Sequence, residues 1–132
     1  MSSGIFPFSS SPIQSKSEQI SVASGVTTQD GTAGFIPAGA HLLGIAFRVD
    51  VQPAGPATFQ AGTSGVPSAY LGTSTTVVPG SFVLGGPSAS VGTTFGEWMK
   101  DSARTIRLTF NALTSNAAGR ITVQIWYFLP SP

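Results

Sequence analysis

Few side chains in this sequence are suited to acid–base chemistry, and they do not form a catalytic set. The 132 residues include one histidine, His41, and no cysteine. A serine hydrolase needs a histidine beside an activated serine and an acid, and no Gly-x-Ser-x-Gly turn marks any serine as that nucleophile. We therefore expect His41 to be a structural residue at the start of a strand.

The acidic residues also lack the spacing of an active site. They are Glu18, Asp30, Asp50, Glu97 and Asp101. A glycosidase needs two carboxyl groups that converge across a cleft, and only Glu97 and Asp101, four residues apart, could share one helical turn. Lys100 and Arg104 lie beside them, which favours an ion-pair cluster. One histidine, no cysteine and no aspartate-rich loop predict no metal site. The glycine-rich range 80–86 lacks the following lysine of a phosphate-binding loop. The sequence therefore predicts no enzyme activity, no metal site and no cofactor.

The basic residues are too few for a nucleic-acid site. The net charge is +1, and Arg104, Arg107 and Arg120 are the only basic grouping. Nucleic-acid binding requires many clustered lysines and arginines that displace counterions. The three arginines better suit an acidic patch on a protein partner.

No segment is typical of membrane insertion or export. No apolar run approaches the roughly 18 residues that span a bilayer. The first residues lack the basic region and apolar stretch of a signal peptide. We expect a chain that stays where it is made or travels within a particle.

The composition indicates a chain that hides part of its surface. Charged residues make up 8% of the sequence and hydrophobic residues 41%, with 16 glycines and 10 prolines. Soluble domains usually carry about 25% charged residues, which keep free monomers apart. Either a neutral face rich in Ser and Thr replaces the charge, or the surface is buried against partners. We predict the second, a homo-oligomer with a trimer favoured.

Three segments alternate between apolar and other residues, as half-buried strands do. They are 41–51, 104–110 and 120–129, with a hairpin expected through 111–119. A weaker first strand is expected at 19–24. Short β-like pieces separated by Gly and Pro are expected at 57–61, 69–71, 75–78 and 82–84. Residues 95–101 are compatible with one helical turn. This pattern predicts an all-β fold, a single-domain antiparallel β-sandwich or jelly roll over residues 19–132. The expected core consists of Leu43, Ile45, Phe47, Val49, Ile106, Leu108, Ile121, Val123 and Ile125.

Residues 1–18 are expected to form an extended N-terminal arm. Seven serines surround a few apolar side chains without any regular period. A disordered tail is one interpretation. The other is docking on a neighbouring subunit through Phe6, Phe8 and Ile13, because such side chains gain about 1.5–3 kcal/mol each when fully buried.

The last strand has apolar residues on both faces near its end. Trp126 and Phe128 point opposite to Ile125 and Tyr127. Either the strand is central and covered on both sides, or Trp126 and Phe128 belong to a subunit interface, where aromatic residues are enriched.

Residues 36–49, Ile-Pro-Ala-Gly-Ala-His-Leu-Leu-Gly-Ile-Ala-Phe-Arg-Val, resemble a small β-domain of structural proteins from tailed bacteriophages and gene-transfer particles. In that family an Ile-Pro-Ala-Gly turn leads into a Leu-Gly-x-x-x-Arg-Val strand. The similarity continues over 57–72, Arg107-Leu-Thr and 120–127, and so spans roughly residues 35–128. The family domain usually ends longer tail or fibre proteins, whereas a free-standing copy of this size looks more like a capsid decoration (cement) protein.

This resemblance implies a virion structural protein, assembled in the host cytoplasm, that binds the major capsid protein and stabilises the phage head. The alternative is a tail-fibre tip or adhesin that binds host surface glycans through aromatics such as Tyr70 or Trp98. A small hydrolase is disfavoured because no acid–base set converges.

Overall fold

The computed structural model describes residues 12–74, 82–85 and 102–129, which contain eight β-strands and no helix. The strands are β1 Gln14–Ser21, β2 Thr28–Asp30, β3 His41–Val51, β4 Phe59–Gly62, β5 Leu71–Ser74, β6 Phe82–Gly85, β7 Arg107–Phe110 and β8 Arg120–Phe128. Sheet A has the order β1-β8-β3-β6, and sheet B has the order β2-β7-β4-β5. All strand pairs are antiparallel.

The strand pairing is nested from the ends of the described chain towards its middle. In sheet A, β1 pairs with β8 and β3 with β6; in sheet B, β2 pairs with β7 and β4 with β5. Two four-stranded sheets connected in this way form a jelly roll. The prediction of an all-β sandwich or jelly roll is therefore confirmed.

The core lies between the inner faces of the two sheets. Alternation along β8 turns Ile121, Val123, Ile125 and Tyr127 inward, and each is at most 6% exposed. The other predicted core residues apart from Leu43 are also buried, namely Ile45, Phe47, Val49, Ile106 and Leu108. Phe47 of sheet A meets Phe59 of sheet B edge-on, with ring centroids 6.2 Å apart. This contact joins the two sheets through two of the largest fully buried side chains.

The prediction that Leu43 lies in the core is wrong. A register shift between Leu42 and Gly44 inserts one extra residue into β3 opposite β8. Such a bulge interrupts the alternation of side chains, so Leu42 turns inward at 2% exposure while Leu43 is 44% exposed. A second shift between Val49 and Val51 leaves Val51 exposed in the same way.

The prediction of a hairpin between β7 and β8 is also wrong, because the two strands belong to different sheets. The loop 111–119 crosses between the sheets and pairs with the loop after β1. The Thr114 amide donates to the Val26 carbonyl at 3.0 Å, and its hydroxyl donates to the Ala23 carbonyl at 2.6 Å. Thr114 is 3% exposed, so these bonds satisfy a polar side chain that the crossing buries.

The first strand begins at Gln14, earlier than the expected 19–24, and pairs with β8 along its whole length. Two of its charged side chains lie on the inner side of the sheet. Lys16 Nζ lies 4.8 Å from the Phe35 ring centroid, and the Glu18 carboxylate accepts the Thr32 amide at 2.8 Å. These contacts join β1 of sheet A to the segment that follows β2 of sheet B. Residues 1–11 of the expected arm, the β-like piece at 75–78 and the helical turn at 95–101 lie outside the described residues.

Candidate functional site

His41 has the surroundings of a structural residue. It opens β3, is 8% exposed and packs against the Phe128 ring at a centroid distance of 5.0 Å. Burial lowers the pKa of its imidazole below 6.5, because the charged form loses solvation. The side chain is therefore neutral at pH 7 and closed off from a substrate in solvent.

The three arginines of the predicted basic grouping are each engaged within their own chain. Arg104 is 7% exposed, and its Nη2 donates to the carbonyls of Pro37 at 3.2 Å and Ala40 at 3.1 Å. Arg107 pairs with Asp30 at 2.6 Å, and Arg120 donates to backbone carbonyls of its preceding loop. Arg104 is thus buried, and the charge of Arg107 is already paired with Asp30.

Arg104 explains the Ile-Pro-Ala-Gly motif in structural terms. The Ala40 amide donates to the Pro37 carbonyl at 3.1 Å, and Gly39 has φ +79°. This geometry is a turn that requires a left-handed residue at its third position, which glycine adopts without strain. The guanidinium of Arg104 stabilises this turn by donating hydrogen bonds to the carbonyls of Pro37 and Ala40. The motif therefore has a structural role.

A cleft of about 330 Å³ opens at one end of sheet B and is lined by Asp30, Thr63, Ser64, Ala103, Arg104, Thr105 and Arg107. Its charged groups already bind each other or the backbone. The hydrogen bonds and the charge of Arg107 hold the pKa of Asp30 below 3.8, so this carboxylate is ionised and unsuited to act as a general acid. Among the described residues no three His, Cys, Asp or Glu side chains group as metal ligands.

The outer face of sheet A consists of rows of residues that run across β1, β8 and β3. One row contains Ser15, Trp126 and Gly44, with the Trp126 ring over Gly44. The neighbouring row at the end of the sheet contains Phe128 and His41. Ile13 directly precedes β1, whose first residue Gln14 pairs with Tyr127 at this end of the sheet. Ile13 is 67% exposed, and the two aromatic residues on the outer face of β8, Trp126 and Phe128, are partly exposed.

We define the outer patch as Ile13, His41, Leu43, Trp126 and Phe128. It combines aliphatic and aromatic side chains with a neutral imidazole, and small serines border it on β1. The bulge adds Leu43 to this end of β3 by turning it away from the core. Apart from the buried His41, its side chains are exposed or partly exposed, and an apolar cluster of this kind is typical of a protein–protein contact surface.

The opposite end of the same face is polar and internally paired. The Asp50 carboxylate accepts hydrogen bonds from Arg48 at 2.6 Å, from Gln19 at 3.1 Å and from the Thr122 hydroxyl. Burial raises the pKa of Asp50, but the hydrogen bonds from Thr122, Gln19 and Arg48 outweigh it and the net shift is downward. The face therefore divides into an apolar end and a polar end whose charges are satisfied.

Three of the five predicted interface residues, Ile13, Trp126 and Phe128, lie at the same end of sheet A. The other two, Phe6 and Phe8, lie outside the described residues, and all five stay predictions as interface residues. Leu43 was missed as a surface residue because strict alternation places it in the core.

Of the two aromatics considered for glycan binding, Tyr70 is fully buried and cannot stack on a sugar. Trp98 lies outside the described residues. In the part of the chain that the structure covers, no helix is long and apolar enough to cross a membrane.

No protein-family model matches this sequence, and no curated protein matches it significantly. Solved structures with a similar fold come from phage particles. A chain in the cyanophage Pam1 capsid asymmetric unit is 18% identical with a TM-score of 0.63, over 91% of this chain and 86% of that one. A chain in the capsid of Ralstonia phage GP4 is 16% identical with a TM-score of 0.64, over 92% and 86%.

A chain in the acid-stable capsid structure of Helicobacter pylori bacteriophage KHP30 is 14% identical with a TM-score of 0.59, over 92% and 94% of the two chains. At these identities the likeness establishes a shared jelly-roll fold.

Proposed function

We propose that this chain is a virion structural protein of a tailed bacteriophage, specifically a capsid decoration (cement) protein without enzymatic activity. The observation that carries the proposal is the match, over nearly the whole chain, to chains within three phage capsids. Fold alone does not assign function. The resemblance of residues 36–49 to phage structural domains supports the same class independently of the fold.

The matched chains are similar to this chain in length. The aligned region makes up 86–94% of each matched chain and 91–92% of this one, so the matched chains are close to this chain in size. A 132-residue jelly roll is one domain.

The low charge and the exposed apolar residues of the chain support a role as a subunit of a larger assembly. With 8% charged residues, the chain carries little of the mixed charge that keeps monomers apart. The outer patch and the expected arm together offer apolar surface for a homo-oligomer, which we propose to be a trimer. We propose that the arm clamps a neighbouring subunit and that the oligomer binds the major capsid protein and resists expansion of the head.

The direct test is rebinding to particles that lack the protein. Undecorated particles of the phage that carries this gene are mixed with purified protein, sedimented, and scored for bound protein and for heat resistance. We expect saturable binding and a raised temperature of particle disruption. Absence of binding, or binding confined to tail fibres, would contradict the proposal.

The arm is tested in the same assay by deleting residues 2–13. The deletion ends before β1, which begins at Gln14, so the sandwich keeps all its described strands. We expect an intact β-fold by circular dichroism and strongly reduced occupancy, because the loss of one contact is multiplied over many copies on a shell. Unchanged occupancy would reduce the arm to a tail without a docking role.

A further inference from the structure

We propose that the outer patch receives the N-terminal residues 5–8 of a second copy of this chain. The proposal deepens the proposed function, since it assigns the contact between decoration subunits. It concerns self-association in solution and needs no capsid.

The first argument is the place where the described chain begins. Ile13 is 67% exposed and directly precedes Gln14, which pairs with Tyr127 at the patch end of sheet A. The described chain therefore begins at this end of the sheet. If two or three copies associate through this end of sheet A, the N-terminal segment of each begins beside its neighbour's patch.

The second argument is chemical complementarity. Residues 1–12 carry no Asp, Glu, Lys or Arg side chain, and they include Ile5, Phe6 and Phe8. The outer patch likewise has no formal charge at neutral pH, whereas the charges of the same face are paired with each other at its other end. An uncharged aromatic segment finds no unpaired charge to desolvate on this patch.

The third argument concerns reach and direction. Phe8 and Ile13 are five positions apart in the sequence, a span of at most about 17 Å when extended. The patch runs from β1 to β3, which is about 10 Å across three neighbouring strands. Pro7 and Pro12 disfavour helix at the residues before them and favour extended backbone, and Gly4 is the only glycine before β1. A segment without an evident tight turn is better suited to reach a neighbour than to fold back over its own patch.

The test uses the absence of cysteine in the native sequence. Ser9→Cys is introduced beside Phe8 in one chain, and Ser15→Cys beside Trp126 in a second chain with a tag of different mass. The two proteins are mixed as full-length chains and oxidised. A disulfide between the Ser9→Cys chain and the tagged Ser15→Cys chain reports docking of the segment on another copy, because neither chain alone can form it.

The matched control is Leu113→Cys, at a 61% exposed position in the loop before β8, at the opposite end of that strand from Phe128. We expect at least about tenfold more mixed disulfide with Ser15→Cys than with Leu113→Cys, since docking raises the local concentration of the thiols. Excess peptide of residues 1–11 should suppress the mixed disulfide, and a scrambled peptide should not. Adding Trp126→Ser to the Ser15→Cys chain should suppress it as well.

Equal yields with the two partner cysteines would overturn the proposal, as would a lack of mixed disulfide. If a single chain with both Ser9→Cys and Ser15→Cys closes internally while the mixture forms no disulfide, the segment covers its own patch and the proposal is wrong. Particle binding is scored separately. Loss of particle binding with the mixed disulfide intact would refute the decoration function and leave this contact standing.

Discussion

The pair Leu42→Ala and Leu43→Ala tests the bulge in β3 with two adjacent residues of the same type. Leu42 is 2% exposed, so its truncation removes buried carbons and leaves a cavity between the sheets. We expect a loss of about 2–5 kcal/mol in the free energy of unfolding. Leu43 is 44% exposed. Its three lost carbons are worth about 0.8 kcal/mol each when fully buried, so we expect a loss of about 1 kcal/mol.

Urea denaturation followed by circular dichroism gives both free energies. Both variants are measured at one fixed protein concentration, because self-association makes the apparent stability depend on concentration. The slope with urea should match the parent protein, which shows that the change lies in stability and not in the unfolded state. If Leu43→Ala costs as much as Leu42→Ala or more, β3 has no bulge and uninterrupted alternation holds.

Three further predictions test the core, a close backbone approach and an ion pair. Phe47→Ala should cost about 3–5 kcal/mol in urea unfolding, because the ring is 1% exposed and meets Phe59 across the sandwich; a loss below about 1 kcal/mol would contradict that packing. Gly62→Ala should lower the melting temperature sharply, since a Cβ there would overlap the backbone of the following turn, whereas Gly65→Ala, with open space around it, should leave the melting temperature nearly unchanged; equal effects would refute the close approach. Asp30→Asn should flatten the acid dependence of the melting temperature. The lowered pKa of Asp30 means that its stabilisation is present above pH 3.8 and is lost as pH falls through the folded-state pKa, so a variant as acid-sensitive as the parent would argue against the pair.

Much of the fold follows from local patterns in the sequence. Alternation over 106–110 and 121–127 identified β7 and β8 and their buried faces, because a half-buried strand repeats every two residues. The bulge was not found, since Leu42 and Leu43 are the same residue type and either one fits the apolar face. A signal was present in Gly44, because a glycine inside a strand often marks a bulge.

The error at 111–119 has a different cause. A loop of this length joins two strands of one sheet or crosses between two sheets, and the local sequence does not distinguish the cases. The answer depends on long-range pairing, here of β7 with β2 and β4 and of β8 with β1 and β3. The contacts of Thr114 with Val26 and Ala23 that stabilise the crossing also join distant parts of the chain.

The sequence singled out individual residues of the candidate site but did not predict that they lie at the same end of one sheet. Trp126 and Phe128 stood out because they place apolar side chains on the second face of a strand, and Ile13 because it is apolar within a serine-rich segment. Their meeting depends on the register between the first and last strands of the described chain. The sequence also suggested Tyr70 as an exposed aromatic, whereas it is buried in the core beside Ala61, whose carbonyl accepts the Tyr70 amide at 3.0 Å.

The most direct test of the proposed decoration function is a cryo-electron microscopy reconstruction of purified phage particles from the source of this sequence, combined with the ratio of this chain to the major capsid protein. We predict density for the jelly roll at symmetry-related positions over the whole shell, in a fixed ratio to the capsid protein. Density confined to one vertex or to the fibre tips, with a few copies per particle, would contradict the account, and so would absence of the chain from the particle.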